Sequence, residues 1–235
     1  LKDYFRKAYR PQNCTIVASG KVSSDTIKQL DFYFGNNWSD YAEVASANQF
    51  VFEKKPGKDY YLERPDALQS AIRLGQISVN RSHPDFVGIQ VLSTILGGYF
   101  GSRLMANIRE DKGYTYGIGA GLSAFKHTGC FVIASEVGVA VCEAALEEIR
   151  KEMTLLQQEP VSAEELDLVR NYILGSFLGS LENTLSHADK FKNIYFSGLG
   201  YDYYDRYIKT VKSITSDTLQ GLAQQYFNFD DMQRV

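Results

Sequence analysis

Residues 114 to 137 limit the possible folds more than any other stretch. "YTYGIGAGLSAF" and "GCFVIASEV" are two strand-like runs joined through "KHTG". Two such runs across a short turn predict an antiparallel hairpin. Helical patterns flank it. "SHPDFVGIQVLSTILGG" has Ser82 as a candidate cap, Pro84 in its first turn and Gly97-Gly98 as its stop. "SRLMANIRED" reads as a second, short helix, and Gly113 breaks the chain before the hairpin.

After the hairpin the periodicity is helical. Val141, Ala145, Ile149 and Met153 recur every fourth position, with Glu143, Glu147, Glu148 and Lys151 opposite. "SAEE" at Ser162 to Glu165 reads as a capping box, followed by a stripe of Leu166, Val169, Ile173, Phe177 and Leu181. "LSHADKFKNIYFSGLG", "YDYYDRYIKTVKSI" and "TSDTLQGLAQQYF" read as three more helices, and "DDMQRV" opens a strand.

Upstream, residues 1–9 read as the end of an amphipathic helix stopped by Pro11, and "NCTIVASGKV" as a buried strand. "SSDTIKQLDFYFG" follows as a helix, residues 38–57 as an ordered connector, and "DYYLERP" and "SAIRLGQISVN" as strands. The order predicts an α+β fold: one largely antiparallel sheet of about five to six strands with helices packed on one face. The two ends echo each other, each with an aromatic-rich helix, a polar turn and a strand, and each linked to an "SDT" helix. That echo suggests a chain running from the closing unit of one lobe to that of the next. Residues 1–13 then form the end of a preceding helix and a connector, and 1–235 one α+β lobe cut from a longer protein. Any signal segment would lie upstream, and the compartment is open.

The net charge is −3, with 25 Lys and Arg against 28 Asp and Glu. No basic excess is available to neutralise a phosphate backbone, which argues against nucleic acid as a partner. No run of 18 apolar residues suggests membrane insertion. Cys14, Cys130 and Cys142 are odd in number and form no Cys-x-x-Cys; Cys14 and Cys130 read as buried structural thiols.

Few places remain for chemistry. His83, His127 and His187 fall at a helix start, a turn and a helix, none with a ligand partner at i+3 or i+4, so no metal site is expected. Ser102 in "GGYFGSRL" lacks a nucleophile elbow, and the glycines there read as a helix end and a reversal needing positive φ. Glu147-Glu148 and Glu164-Glu165 read as structural. That leaves "NIREDKGYTYGIGA". Arg109 ends a helix, where a cation suits the C-terminal carbonyls. Tyr114 and Tyr116 share one face of the next strand, and Gly117, Gly119 and Gly121 the other. Alternate glycines leave a smooth face against which another backbone can lie. From the residues alone, Arg109 and a tyrosine are either a cap and packing, or a pair that contacts a polypeptide or carboxylate.

"ILGGYFGSRLMANIREDKGYTYGIGAG" resembles the segment LGG-x-x-x-SRL-x-x-x-IRE-x-x-G-x-x-Y of the pitrilysin/insulinase family of zinc metallopeptidases, and "AYRPQNCTIVASGKV" its Y-x-P-x-N followed by a strand. The resemblance implies two homologous α+β lobes that enclose a peptide. The first carries an inverted zincin motif, H-x-x-E-H. The second lacks the metal and supplies an Arg and a Tyr seven residues apart. This chain has no H-x-x-E-H, so it is similar to the second lobe. The implied site residues are Arg109 and Tyr116, with Gly117 and Gly119 lining the substrate and Tyr114 left to packing. The implied partners are a peptide substrate and a homologous lobe, in the same chain or in a partner subunit, with a dimer possible. Zinc is expected in that other lobe, with no cofactor here, and the chain alone is expected to be inactive. The alternative within the family is a non-catalytic partner or scaffold subunit; outside it, an unrelated α+β ligand-binding domain.

Overall fold

The computed structural model describes residues 1–35, 38, 51–53 and 55–235, with the side chains of residues 6 and 7 outside that set. Its sheet contains β1 (Lys58–Asp59), β2 (Gln69–Ser78), β3 (Thr115–Ala124), β4 (Gly129–Gly138) and β5 (Gln233–Arg234), in the order β1-β5-β2-β4-β3. β1 and β5 are parallel; the other neighbours are antiparallel. Alternation sorts the faces of the long strands. Ile72 and Leu74 of β2 and Phe131, Ile133 and Val137 of β4 are buried, while Ala71, Arg73 and Glu136 are exposed. Arg73 N and Val235 N each donate to the other residue's carbonyl at 2.9 Å, which ties the last residue to the sheet.

One side of the sheet is covered by helices α3 (Phe86–Ser93), α4 (Cys142–Gln158), α5 (Ala163–Gly179), α6 (Thr184–Phe196), α7 (Asp202–Ser213) and α8 (Ser216–Tyr226). Every fourth residue of α4 faces the core: Ala145, Ile149 and Met153 are fully buried. α8 buries Leu219, Leu222 and Ala223, and Phe227 after it stacks on Phe131 of β4 with centroids 4.4 Å apart. Ser162 accepts from Glu165 N at the start of α5, but only half of the expected capping box forms, because the Glu165 carboxylate is taken by Arg103. At α3 the expected Ser82 cap is absent. Ser82 bonds Asn80, Pro84 lies in the preceding turn, and the helix starts one turn later with Asp85 at its N-cap.

The N-terminal region departs most from expectation. α1 (Lys2–Ala8) is followed by a 3-10 turn, Pro11–Asn13, and α2 (Ser24–Phe34) is capped by Ser23. Between them "NCTIVASGKV" forms no strand: residues 14–19 have no ladder partner among the described residues, and Ile16 and Val22 are exposed. Cys14 is accordingly exposed and Cys130 half-buried, not two buried thiols; burial raises the Cys130 thiol pKa. Of "DYYLERP" only Asp59 lies in the sheet, with Lys58 before it, extended by Tyr60 N donating to Arg234 O. Most of the expected connector at 38–57 lies outside the described residues.

The echo between the ends is present in the backbone. After α1 come Tyr9, Arg10, the 3-10 turn Pro11–Asn13 and Cys14; after α8 come Phe227, Asn228, the 3-10 turn Phe229–Asp231 and Met232. The two differ in packing. α8 and β5 are built into the lobe, whereas no described side chain of residues 1–35 is buried.

Candidate functional site

Two π-helical turns and β3 build the site. The first turn, Thr94–Gly98, ends α3 against the hairpin. A Cβ on Gly97 would lie 2.5 Å from Ala120 N, so only glycine lets this turn rest on β3. Close approach, not positive φ, explains the glycine here. Among the described glycines φ is positive only at Gly20, Gly113 and Gly198. Arg103 then clamps the reversal to α5, with Nε and Nη2 donating to the Glu165 carboxylate at 2.9 and 2.7 Å.

The expected short helix is wound as a π-helix over Met105–Asp111, with Lys112 N donating to Asn107 O five residues back. Asn107 fixes its outer face: the two hydrogens of Nδ2 go to Glu148 at 2.8 Å and Glu152 at 2.7 Å on α4. This hydrogen bond, ahead of Lys151, holds the Glu148 carboxyl below the usual carboxylate range. A depressed carboxylate contributes stability above its unfolded pKa and loses it as pH falls through the folded value. Asn107→Ala is therefore expected to move the acid-unfolding midpoint, followed by circular dichroism, to higher pH. An unmoved midpoint would show that the amide does not hold the carboxylate.

Gly113, with φ at +65°, turns the chain into β3, and Tyr114 N closes the helix end on Ile108 O at 3.0 Å. Tyr114 packs against the core. Arg109 and Tyr116 come together. The Arg109 guanidinium carbon lies 5.2 Å from the Tyr116 ring centroid and 4.6 Å from that of Phe100. Its Nε is 3.3 Å from Glu110 Oε1. Each such contact is worth roughly 0.5–1 kcal/mol at an exposed site. A guanidinium that meets aromatic rings keeps its in-plane N–H donors, and those not turned to Glu110 stay available to a carbonyl or carboxylate. Tyr116 is 89% exposed and Phe100 63%, so both rings are open to a ligand. Phe100 was missed in the sequence, although an aromatic ring between the glycines of "GGYFGSRL" was a signal for it.

The faces of β3 also differ from the expected sorting. Tyr116 does not share a face with the buried Ile118 and Ala120 but turns to the open side. There Gly119 and Gly121 pair with Ala134 and Val132 of β4, so β3 itself presents no side chains at these two positions. A Cβ on Gly117 or Gly121 would meet nothing within 4 Å, and one on Gly119 only Gly97 O at 3.5 Å. Nothing inside the lobe requires glycine at these three positions.

The histidines stay apart. Asp85 N donates to His83 Nδ1 at 3.2 Å, His187 Nε2 lies 3.0 Å from Leu181 O, and His127 is in the hairpin turn. Among the described residues no group of three or more His, Cys, Asp or Glu is placed to hold a metal ion. Among the described residues no helix is long and apolar enough to cross a membrane.

Residues 1–173 match the family described as the peptidase M16 inactive domain. A Bacillus subtilis (strain 168) relative named "Uncharacterized zinc protease YmxG" is 26% identical over 98% of this chain and 55% of its own length. A Helicobacter pylori relative named "Non-peptidase homolog YmxG" is 22% identical over 99% of this chain and 53% of its own. The crystal structure of a protease from Helicobacter pylori has the same fold, with a TM-score of 0.89 at 18% identity over 100% of this chain and 58% of that one. The chain thus spans about half the length of these two relatives. An α+β lobe with this match belongs to the peptidase M16 (pitrilysin/insulinase) family of zinc proteases, as its inactive domain.

Proposed function

We propose that this lobe forms one wall of a peptide-binding chamber that a homologous, zinc-bearing lobe completes, and that Arg109 and Tyr116 engage the peptide backbone there. The carrying observation is the Arg109 guanidinium in contact with both the Phe100 ring and the ring of Tyr116, which lies on the strand that carries Gly117, Gly119 and Gly121. In this reading the in-plane donors of Arg109 bind a substrate carbonyl. The Tyr116 hydroxyl donates to the scissile carbonyl or its neighbour, where negative charge grows as the bond is attacked. Gly117 and Gly119 allow the peptide backbone to approach. The metal chemistry belongs to the other lobe.

Gly117→Ala in the full-length protein tests the reading. The added Cβ meets nothing within the lobe, and φ is not positive, so Tm should hold or rise slightly. Turnover of a quenched-fluorescent casein-peptide mixture should fall at least about threefold, through KM, because one methyl group displaces the substrate. Unchanged KM at unchanged Tm would remove the β3 glycines from the site.

A second reading is favoured by the name of the Helicobacter relative, a non-peptidase homologue. Here the lobe belongs to a partner subunit that binds peptides or another subunit without cutting. An H-x-x-E-H in the other lobe, with turnover, decides for the first reading. Peptide binding without turnover decides for the second.

A further inference from the structure

β3 carries a bulge, and the residues that hold it are separate from Arg109 and Tyr116. Thr115 pairs with Val137 and Ile118 with Ser135, so three steps along β3 match two along β4. Without the extra residue, Tyr116 would share a face with Ile118 and Ala120, both buried. With it, Thr115 and Ile118 both face the core while Tyr116 swings to the open side, beside Arg109.

A bulged residue leaves its backbone groups without ladder partners. Gly117 has no Cα partner on β4, and two side-chain hydroxyls meet its polar groups. Its N–H donates to Thr115 Oγ1 at 3.1 Å, and its carbonyl lies 3.0 Å from Ser135 Oγ and 2.9 Å from Thr115 Oγ1. Each hydroxyl has one hydrogen. One assignment satisfies the set: Thr115 donates to Glu136 O at 2.6 Å and accepts from Gly117, and Ser135 donates to the Gly117 carbonyl. The two hydroxyl oxygens are 3.0 Å apart. Ser135 is 2% exposed and is the one polar residue in the core-facing row Phe131, Ile133, Ser135, Val137. Burial alone favours an apolar side chain there; its bond to the bulge accounts for the hydroxyl.

We infer that Thr115 and Ser135 are positioning residues that lock the bulge and so aim Tyr116 out of the core and onto Arg109. The inference rests on the reading that Tyr116 touches the substrate. The test is the Thr115→Val/Ser135→Ala double variant of the full-length protein, with Thr115→Val alone, which removes the acceptor of the Gly117 amide, carrying the same criteria should the double variant not fold. Hydrogen exchange of the Gly117 amide is expected to quicken at least about tenfold, as an amide stripped of its partner does. With the casein-peptide mixture, kcat is expected to fall at least about tenfold with KM changed less than about threefold. Thr115→Ser, which keeps its hydroxyl, should restore both when Ser135 is intact. Unchanged Gly117 exchange overturns the clamp whatever the activity does. Quickened exchange with unchanged kcat overturns the role assigned to Tyr116, and with it the positioning function, while the hydroxyl clamp stands.

Discussion

Tyr116→Phe, made in the full-length protein, is expected to lower kcat by about 10²–10³-fold, the usual cost of one donor to a developing oxyanion. KM should change less than about threefold, because the ring and its contact with Arg109 remain. The substitution removes a single oxygen from a side chain that is 89% exposed and carries no structural hydrogen bond that the fold depends on, so Tm should stay within about 2 °C. A variant with wild-type kcat would end the proposed role of the hydroxyl. A variant that loses affinity but not kcat would make Tyr116 a binding wall like Phe100. Arg109→Ala should differ in kind, raising KM as well, since it removes both the donors and the contacts with the two rings.

Arg103→Ala is expected to be the most destabilising of the changes considered. The two side chains of the bidentate pair are only 20% and 26% exposed, and the Glu165 hydrogen bond raises the pKa of Arg103. Truncating one partner leaves the other without its counter-charge, which costs about 2–3 kcal/mol at this degree of burial. For a lobe of this size that lowers Tm by about 4–10 °C in calorimetry. Glu165→Ala should cost less, because Ser162 still caps α5 by bonding the backbone of residue 165. The double variant should fall well short of the summed single effects. Additive losses would show that the two side chains act separately.

What the sequence disclosed divides along physical lines. The stripes of α4 and α5 were legible because their helical period is set by one buried face, and the same holds for the hairpin. Arg109 and Tyr116 were picked by their seven-residue spacing through a family likeness, and the structure brings them together. The bulge was not legible. Alternation assigns Tyr116 to the side of Ile118, and only the pairing of Ser135 with Ile118 shows the extra residue. Residues 13–22 have the composition of a buried strand, but a strand is defined by a neighbour, and composition does not report one. The glycines at 97, 98 and 101 looked like positive-φ positions; at Gly97 the constraint is a backbone 2.5 Å away, which depends on tertiary structure.

The unburied residues 1–35 also bear on how the polypeptide behaves in solution. Tyr4, Phe5, Ile27 and Tyr33 are all exposed, and no described side chain of residues 1–35 is buried. A formal net charge of −3 supplies weak colloidal repulsion against such faces meeting one another. Solubility of this polypeptide on its own is therefore governed by its first two helices and not by the well-packed sheet. Acidic substitutions at Ile27 and Tyr33, both exposed on α2, are the place to improve it.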